Sequence, residues 1–196
     1  MNSIFNFIIE PKTGRSTSVK KIGKSELVLN TELQNHRYVS RLGIVKSVPL
    51  AFKTNIKVCD EVIVNHNVFR RFYDVRGKEK NSKSYYADNK YLVAPDQIYA
   101  YKNKSKWNAV AGYSFIKPIK ETKMFSINFE KPGVGIVKYS DGSFKKNSLV
   151  GFKPGTEYEF FIEKERLYRV PNNLILLEYE YQGNEEEYNP SWTQSS

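Results

Sequence analysis

One tetrapeptide constrains this chain more than any other feature. Gly43-Ile44-Val45-Lys46 recurs letter for letter as Gly135-Ile136-Val137-Lys138. Three further landmarks recur around it in the same order. A strand-like run into proline, Phe7-Ile8-Ile9-Glu10-Pro11, is echoed by Tyr113-Ser114-Phe115-Ile116-Lys117-Pro118-Ile119. The run from Cys59 to Val64 is matched to Phe152–Phe160. The run from Tyr91 to Tyr101 is matched to Arg166–Leu177, with Pro171-Asn172 set against Pro95-Asp96. Four landmarks in one order imply an internal duplication, so one small fold is used twice. Every landmark is short, rich in β-branched and aromatic residues, and bounded by turn formers, which reads as β-strand. The expectation is an all-β protein with a first domain at 1–102, a second at 106–182 and a tail at 183–196. Asn103-Lys104-Ser105-Lys106 reads as a polar linker. The tail holds Glu185-Glu186-Glu187 and Trp192 but lacks alternation, and it reads as an end without regular structure.

The two halves differ between their first two landmarks. Pro118 and Gly135 are separated by a short connection, Pro11 and Gly43 by a long one. Its first part, Lys12–Lys24, is rich in Lys, Ser and Gly without apolar period, and reads as an exposed flexible loop. Leu27-Val28-Leu29 then breaks the polar stretch. An exposed apolar tripeptide is wasted surface unless it meets a partner. Burying three such side chains is worth on the order of 4–9 kcal/mol before ordering costs. That arithmetic suits a reversible contact strengthened by repetition. The alternative is that Leu27–Leu29 is simply a strand of the fold. A second elaboration, Asn65–Asn89, carries Phe69-Arg70-Arg71-Phe72-Tyr73, a basic middle, and Tyr85-Tyr86. Its middle reads as a hairpin tip or loop.

Composition narrows the function classes. Apolar residues make up 40% and aromatics 14%, enough for a core. No apolar run is long enough for a bilayer, and Ile4–Ile9 is too short for a signal segment, so the expected location is cytoplasmic. The net charge is +10 and uneven: residues 1–102 carry 18 Lys and Arg against 9 Asp and Glu, residues 103–196 carry 13 against 12. A basic half is the footprint of an acidic partner or nucleic acid, or an ordinary solubilising surface. The only cysteine is Cys59 and the only histidines are His36 and His66. They lack the paired spacing of a zinc site, and Cys59, at a strand entry, reads as a buried inert thiol. No phosphate-binding glycine motif is present. The expectation is no catalytic residue, no metal and no cofactor.

The stretch from Gly43 to Tyr101 resembles the GroES-type co-chaperonins. The resemblance rests on Gly43-Ile44-Val45, on Asp60-Glu61-Val62, and on Leu92-Val93 followed by Asp96, Ile98 and Ala100. Cys59 stands where the family has glycine, a residue that accepts positive φ. The resemblance implies two tandem GroES-like small β-barrels. It implies a non-enzymatic lid that caps a GroEL-type chaperonin and assists folding in its chamber, assembled as a homo-oligomeric ring. Leu27, Val28 and Leu29 take the place of the family's mobile docking tripeptide, with Ser25 and Glu26 for its glycines. Bacteriophages encode diverged lids of this kind, and the Lys-, Asn- and Tyr-rich composition is compatible with one acting in a host cytoplasm.

Two other classes stand beside this reading. One is a viral structural or assembly protein, a virion component that reuses the barrel. The other is single-stranded nucleic-acid binding through Phe69, Arg70, Arg71, Tyr73, Tyr85 and Tyr86. Nucleic acid ranks last as a partner, because aromatics on strand-like stretches usually belong to a core.

Overall fold

The computed structural model describes residues 3–13, 19–22, 25–28, 40–121, 130–180, 183 and 185–188, with the backbone alone for 19–22 and 25–28. The strands, in chain order, are β1 (Phe7–Pro11), β2 (Val19–Ile22), β3 (Ser25–Val28), β4 (Leu42–Ser47), β5 (Glu61–Val64), β6 (Arg71–Tyr73), β7 (Glu79–Asn81), β8 (Tyr85–Ala87) and β9 (Lys90–Val93). They continue with β10 (Ile98–Asn103), β11 (Lys106–Ala109), β12 (Tyr113–Lys120), β13 (Glu130–Ser140), β14 (Leu149–Phe152), β15 (Tyr158–Ile162), β16 (Glu165–Pro171) and β17 (Ile175–Tyr179). The all-β class holds. The chain divides into two compact units, Met1–Trp107 and Asn108–Ser196.

One sheet has seven strands in the order β11-β10-β5-β4-β1-β9-β8, the other six in the order β15-β16-β12-β13-β14-β17. No pairing joins the two end strands of either sheet among the described residues, so both are open. Read from opposite ends, six strands of the first sheet correspond one to one with the six of the second. Register and irregularities correspond as well. Ile9 faces Val45 and Pro11 faces Gly43, as Ile116 faces Val137 and Pro118 faces Gly135. A bulge lies between Ile8 and Ile9 and another between Phe115 and Ile116. A bulge separates Ile98 from Ala100 against β5, and the same offset separates Ile175 from Leu177 against β14. Bulges re-aim one strand without breaking the ladder, so their recurrence marks one backbone path followed twice.

The correspondence corrects two matches made from sequence. The partner of Glu61–Val64 is Leu149–Phe152, not Phe152–Phe160: Gly43 faces Val62 as Gly135 faces Val150. In the last landmark Tyr91 corresponds to Tyr168, since Ile9 faces the one and Ile116 the other. That sets Pro95 against Asn172 rather than against Pro171. Both prolines still serve the same short 3-10 turn, Pro95 as its first residue and Pro171 one place earlier. Proline's fixed φ suits either position.

Residues 103–106 are not a linker. Strands β10 and β11 form a hairpin, and Lys104 and Ser105 turn it with positive φ at both positions. Asp88-Asn89 and Glu163-Lys164 turn β8–β9 and β15–β16 in the same way, the tight geometry that suits the twist of the strands.

In each unit the core lies under the shared central strands. Phe7, Ile9, Val45, Val62, Val64, Tyr91, Val93 and Ile98 are buried in the first unit. Ile116, Val137, Val150, Phe152, Tyr168 and Val170 form a cluster in the second. A Cβ on Gly43 would collide with Ile9 Cγ2, and one on Gly135 with Ile116 Cγ2 and the Lys117 carbonyl. These two glycines let adjacent strands approach over the corresponding isoleucines.

Within the stretch expected to lack regular structure, residues 185–188 make defined contacts. Glu187 bridges to Ile119, Lys120 N–H donates to Glu186 O (2.7 Å), and Tyr188 N–H donates to Pro118 O (2.9 Å). The tail thus lies along the stretch of β12 beyond its pairing with β16, which ends at Ile116. Its carboxylates meet lysines: Glu186 pairs with Lys120 at 3.0 Å and Glu187 with Lys138 at 2.5 Å. The need for them is visible in the duplication. Glu10 pairs with Lys46 in the first unit (3.1 Å), and the corresponding residues in the second are Lys117 and Lys138. Lys117 is fully buried, and burial lowers its pKa, while Glu165 and Glu187 raise it and Lys138 and Arg166 lower it. Glu187 therefore answers a like-charge pair that the first unit resolves internally.

Two tests follow from these contacts. Gly43→Ala and Gly135→Ala should each destabilise their unit by about 1–3 kcal/mol in urea unfolding, because neither a backbone carbonyl nor a buried isoleucine yields cheaply. Equal or greater stability in both would show that the close approach is not required. Removing residues 183–196 should cost about 1–3 kcal/mol at pH 7. Glu187→Gln alone should cost at most about 1 kcal/mol, because Glu187 is partly exposed. The sign with pH is set by Lys117. Its folded pKa lies below its unfolded one, so the unfolded chain binds more protons between the two values and stability rises with pH there. Without Glu187 that rise should begin at lower pH.

Candidate functional site

The first candidate is the excursion between β1 and β4. Residues 19–22 and 25–28 are not structureless loop. Strands β2 and β3 pair antiparallel as a two-stranded sheet of their own, with Val19 facing Val28, Lys20 facing Leu27, Lys21 facing Glu26 and Ile22 facing Ser25. Leu27 and Val28 thus lie on a strand, but not on a strand of the seven-stranded sheet. Leu29 lies outside the described residues, as do His36 and Trp192. The excursion joins two strands that are themselves hydrogen-bonded neighbours, a junction that a turn of two to five residues would make. Its counterpart between β12 and β13 is far shorter.

The second candidate is the elaboration after β5. Strands β6 and β7 form a hairpin with Arg71 facing Asn81, Phe72 facing Lys80 and Tyr73 facing Glu79. Asp74 shapes its tip: the carboxylate accepts from Arg76 N–H (2.9 Å) and Lys78 N–H (3.0 Å), and Gly77 takes a φ of 73°. At its base Ser82 Oγ donates to Val68 O at 2.5 Å, beside buried Val68 and Phe69. The aromatic residues named from sequence separate. Phe69 is core, edge-on to Tyr91 at 4.9 Å, and Tyr85 packs on Tyr91 at 5.5 Å. Tyr73 and Tyr86 are about half exposed, as is Phe72, while Val75 at the tip is fully exposed. Arg71 pairs with Glu79 at 3.1 Å. The argument that strand aromatics are core therefore applies to Phe69 and fails for Phe72 and Tyr73.

The third is a buried charged cluster that sequence reading missed. Arg166 is fully buried on β16. It meets Glu130 at 2.8 Å, Glu159 at 3.6 Å and the Tyr168 hydroxyl, which donates to Glu130 at 2.8 Å. Its guanidinium also lies 4.8 Å from the Tyr168 ring and 5.8 Å from Tyr188 of the tail. Every charge here has an opposite partner, as burial requires, and the cluster ties three strands and the tail together. Nothing in the run Lys164-Glu165-Arg166-Leu167-Tyr168 signalled its inward position.

Cys59 is the clearest correction. It is exposed, not buried, and it sits in the left-handed region at φ 72°. Its N–H donates to Val45 O (2.8 Å), while Val45 N–H donates to Asp60 O (3.0 Å). In the second unit Asn147 N–H donates to Val137 O (2.8 Å), Val137 N–H to Ser148 O (2.9 Å), and Asn147 has φ 66°. The turn demands left-handed backbone in both units. Asparagine tolerates it and cysteine is strained by it. No group of three or more metal-ligating residues occurs among the described residues, and no helix there is long and apolar enough to cross a membrane.

Cys59→Gly should therefore stabilise the first unit by about 1 kcal/mol, since relief of left-handed strain exceeds the entropy lost with glycine. Cys59→Val should destabilise it by a similar amount. Thermal unfolding checks both, and a Gly variant less stable than the wild type would refute the strain. Set against protein-family models, curated proteins and solved structures, the chain matches none of them.

Proposed function

We propose that this chain is a non-enzymatic co-chaperonin, a diverged tandem of two GroES-like units, each built on an open sheet, that caps a GroEL-type chaperonin. The observation that carries this reading is the excursion between β1 and β4. It interrupts a junction that a short turn would make, is far longer than the corresponding connection in the other unit, and carries Leu27 and Val28 on a strand separate from the main sheet, with Leu29 next in sequence. A segment of that kind suits docking in an apolar groove. Lys20 and Lys21 on the opposite strand would speed encounter, while the tripeptide would set the residence time.

The assembled form would be a homo-oligomeric ring. Support comes from β17. The corresponding strand β10 is flanked by β11, whereas β17 ends its sheet among the described residues, with Leu176 and Leu177 exposed on its two faces. An edge strand with apolar residues on both faces is a template for another chain. A virion component would use the same edge, so β17 favours assembly without choosing between the two. The excursion supports the co-chaperonin reading, because lateral assembly alone has no use for it.

Replacing Leu27 and Leu29 by Ser tests the assignment. The melting temperature should stay within about two degrees of wild type, because the hairpin lies outside the main sheet. Co-sedimentation with a chaperonin should fall at least tenfold, multiplied by every copy in the ring. A collapse of stability would make these residues core. Unchanged co-sedimentation would place docking elsewhere, and a wild-type chain that binds no chaperonin would favour the virion component.

A further inference from the structure

The β6–β7 ribbon is the other element that one unit has and the corresponding unit lacks. In the second unit β14 leads to β15 through residues 153–157, with no ribbon between. The fold is complete without it, so its composition answers to something besides folding. That composition is unusual for a solvated hairpin. Phe72 and Tyr73 point to opposite faces and both are about half exposed, and Val75 is bare at the tip. Around them residues 70–83 hold six Arg and Lys against two Asp and Glu. Both acids are engaged within the ribbon: Glu79 with Arg71, and Asp74 with the tip amides and, at 4.0 Å, Lys80. The charge of the chain is concentrated in the same unit. Met1–Trp107 carries 20 Lys and Arg against 9 Asp and Glu, whereas Asn108–Ser196 carries 11 against 12.

We propose that the β6–β7 ribbon binds single-stranded nucleic acid, with Phe72 and Tyr73 as stacking platforms and Arg76, Lys78, Lys80 and Lys83 tracking the phosphates. Cations alone would suit any polyanion. Exposed rings between cations suit a polyanion whose bases are free to stack, which selects a single strand over a duplex and over an acidic protein. Phe72 and Lys80 are cross-strand partners on one face, so a base on the ring brings its phosphate to the ammonium. Three-residue strands are about 10 Å long, room for two or three nucleotides, so each ribbon binds weakly and without sequence preference. This inference is independent of the co-chaperonin reading and stands or falls apart from it.

The test is fluorescence anisotropy with a labelled oligo(dT) of about 20 nucleotides, using the full-length chain. Binding is expected at about 50 mM salt, with a loss of about tenfold or more by 200 mM from released counterions. Phe72→Ala/Tyr73→Ala keeps every charge and should weaken binding about 5- to 100-fold. Val75→Glu adds an anion at a fully exposed position that cannot disturb the fold, and should weaken binding several-fold, about one phosphate contact's worth. Arg76→Ser/Lys78→Ser should flatten the salt dependence, while Lys145→Ser/Lys146→Ser in the second unit should not. Absence of binding at low salt overturns the proposal. So does equal affinity for a duplex of the same length, displacement by polyglutamate as effective as by unlabelled oligo(dT), or wild-type affinity in both Phe72→Ala/Tyr73→Ala and Val75→Glu.

Discussion

The contact on which both units depend is the approach of β4 to β1 over Ile9 and of β13 to β12 over Ile116. Gly43 and Gly135 make it possible, because any Cβ there would occupy space already held by isoleucine. Each glycine faces a proline, Pro11 or Pro118, across the ladder. Proline cannot donate to the ladder and glycine adds no side chain, so the pair makes a local gap in hydrogen bonding and bulk that admits the isoleucine. Val45 and Val137 follow two residues on in unbroken register, on the same face as the glycines, and the corresponding bulges come only beyond them. The remaining strands add outward from these central pairs in the same order.

This explains which parts of the fold were legible in the sequence. The tetrapeptide repeated letter for letter lies where sterics leave least freedom. The strand into proline was legible for the same reason. Legibility failed where the backbone alone is conserved. The entry to β5 requires left-handed φ, met by Cys59 in one unit and Asn147 in the other, and no side-chain pattern announces it. The third landmark was consequently displaced onto β15, whose aromatic composition resembled a core strand better than Leu149–Phe152 did. The fourth was displaced by one residue because proline can begin a 3-10 turn or precede it.

The candidate sites were legible in position but not in form. The polar lead-in before Leu27 reads as loop because residues 12–24 lack apolar period, yet a two-stranded ribbon needs only backbone pairing, which no side-chain period has to announce. Phe69 and Phe72 illustrate the same limit. They stand three apart in one aromatic-basic run, and one is sealed against Tyr91 while the other is open. Composition cannot separate them, because the distinction lies in where the chain leaves the core, just after buried Val68 and Phe69 in the turn that follows β5. Exposure of Cys59 has the same origin: it is a turn residue whose side chain points off the fold.

Duplication lets a fold carry elaborations in one copy while the other shows which parts are dispensable. The second unit keeps the central strands, bulges, glycines and hairpin turns, has a far shorter connection in place of the β2–β3 excursion, and has no counterpart of the β6–β7 ribbon among the described residues. Those two elements are thus the elaborations that the shared framework does not explain. The reverse comparison applies to the tail. The second unit gave up the internal Glu10–Lys46 pairing for Lys117 and Lys138, and two lysines on neighbouring strands are tolerable only with a carboxylate from elsewhere. Glu165 and Glu187 supply it, and Glu187 also bridges Ile119, past the proline at which β1 stops. The divergence of the two copies is a redistribution: added strands and most of the net positive charge in the first unit, a buried charge network that residues 187 and 188 reach in the second.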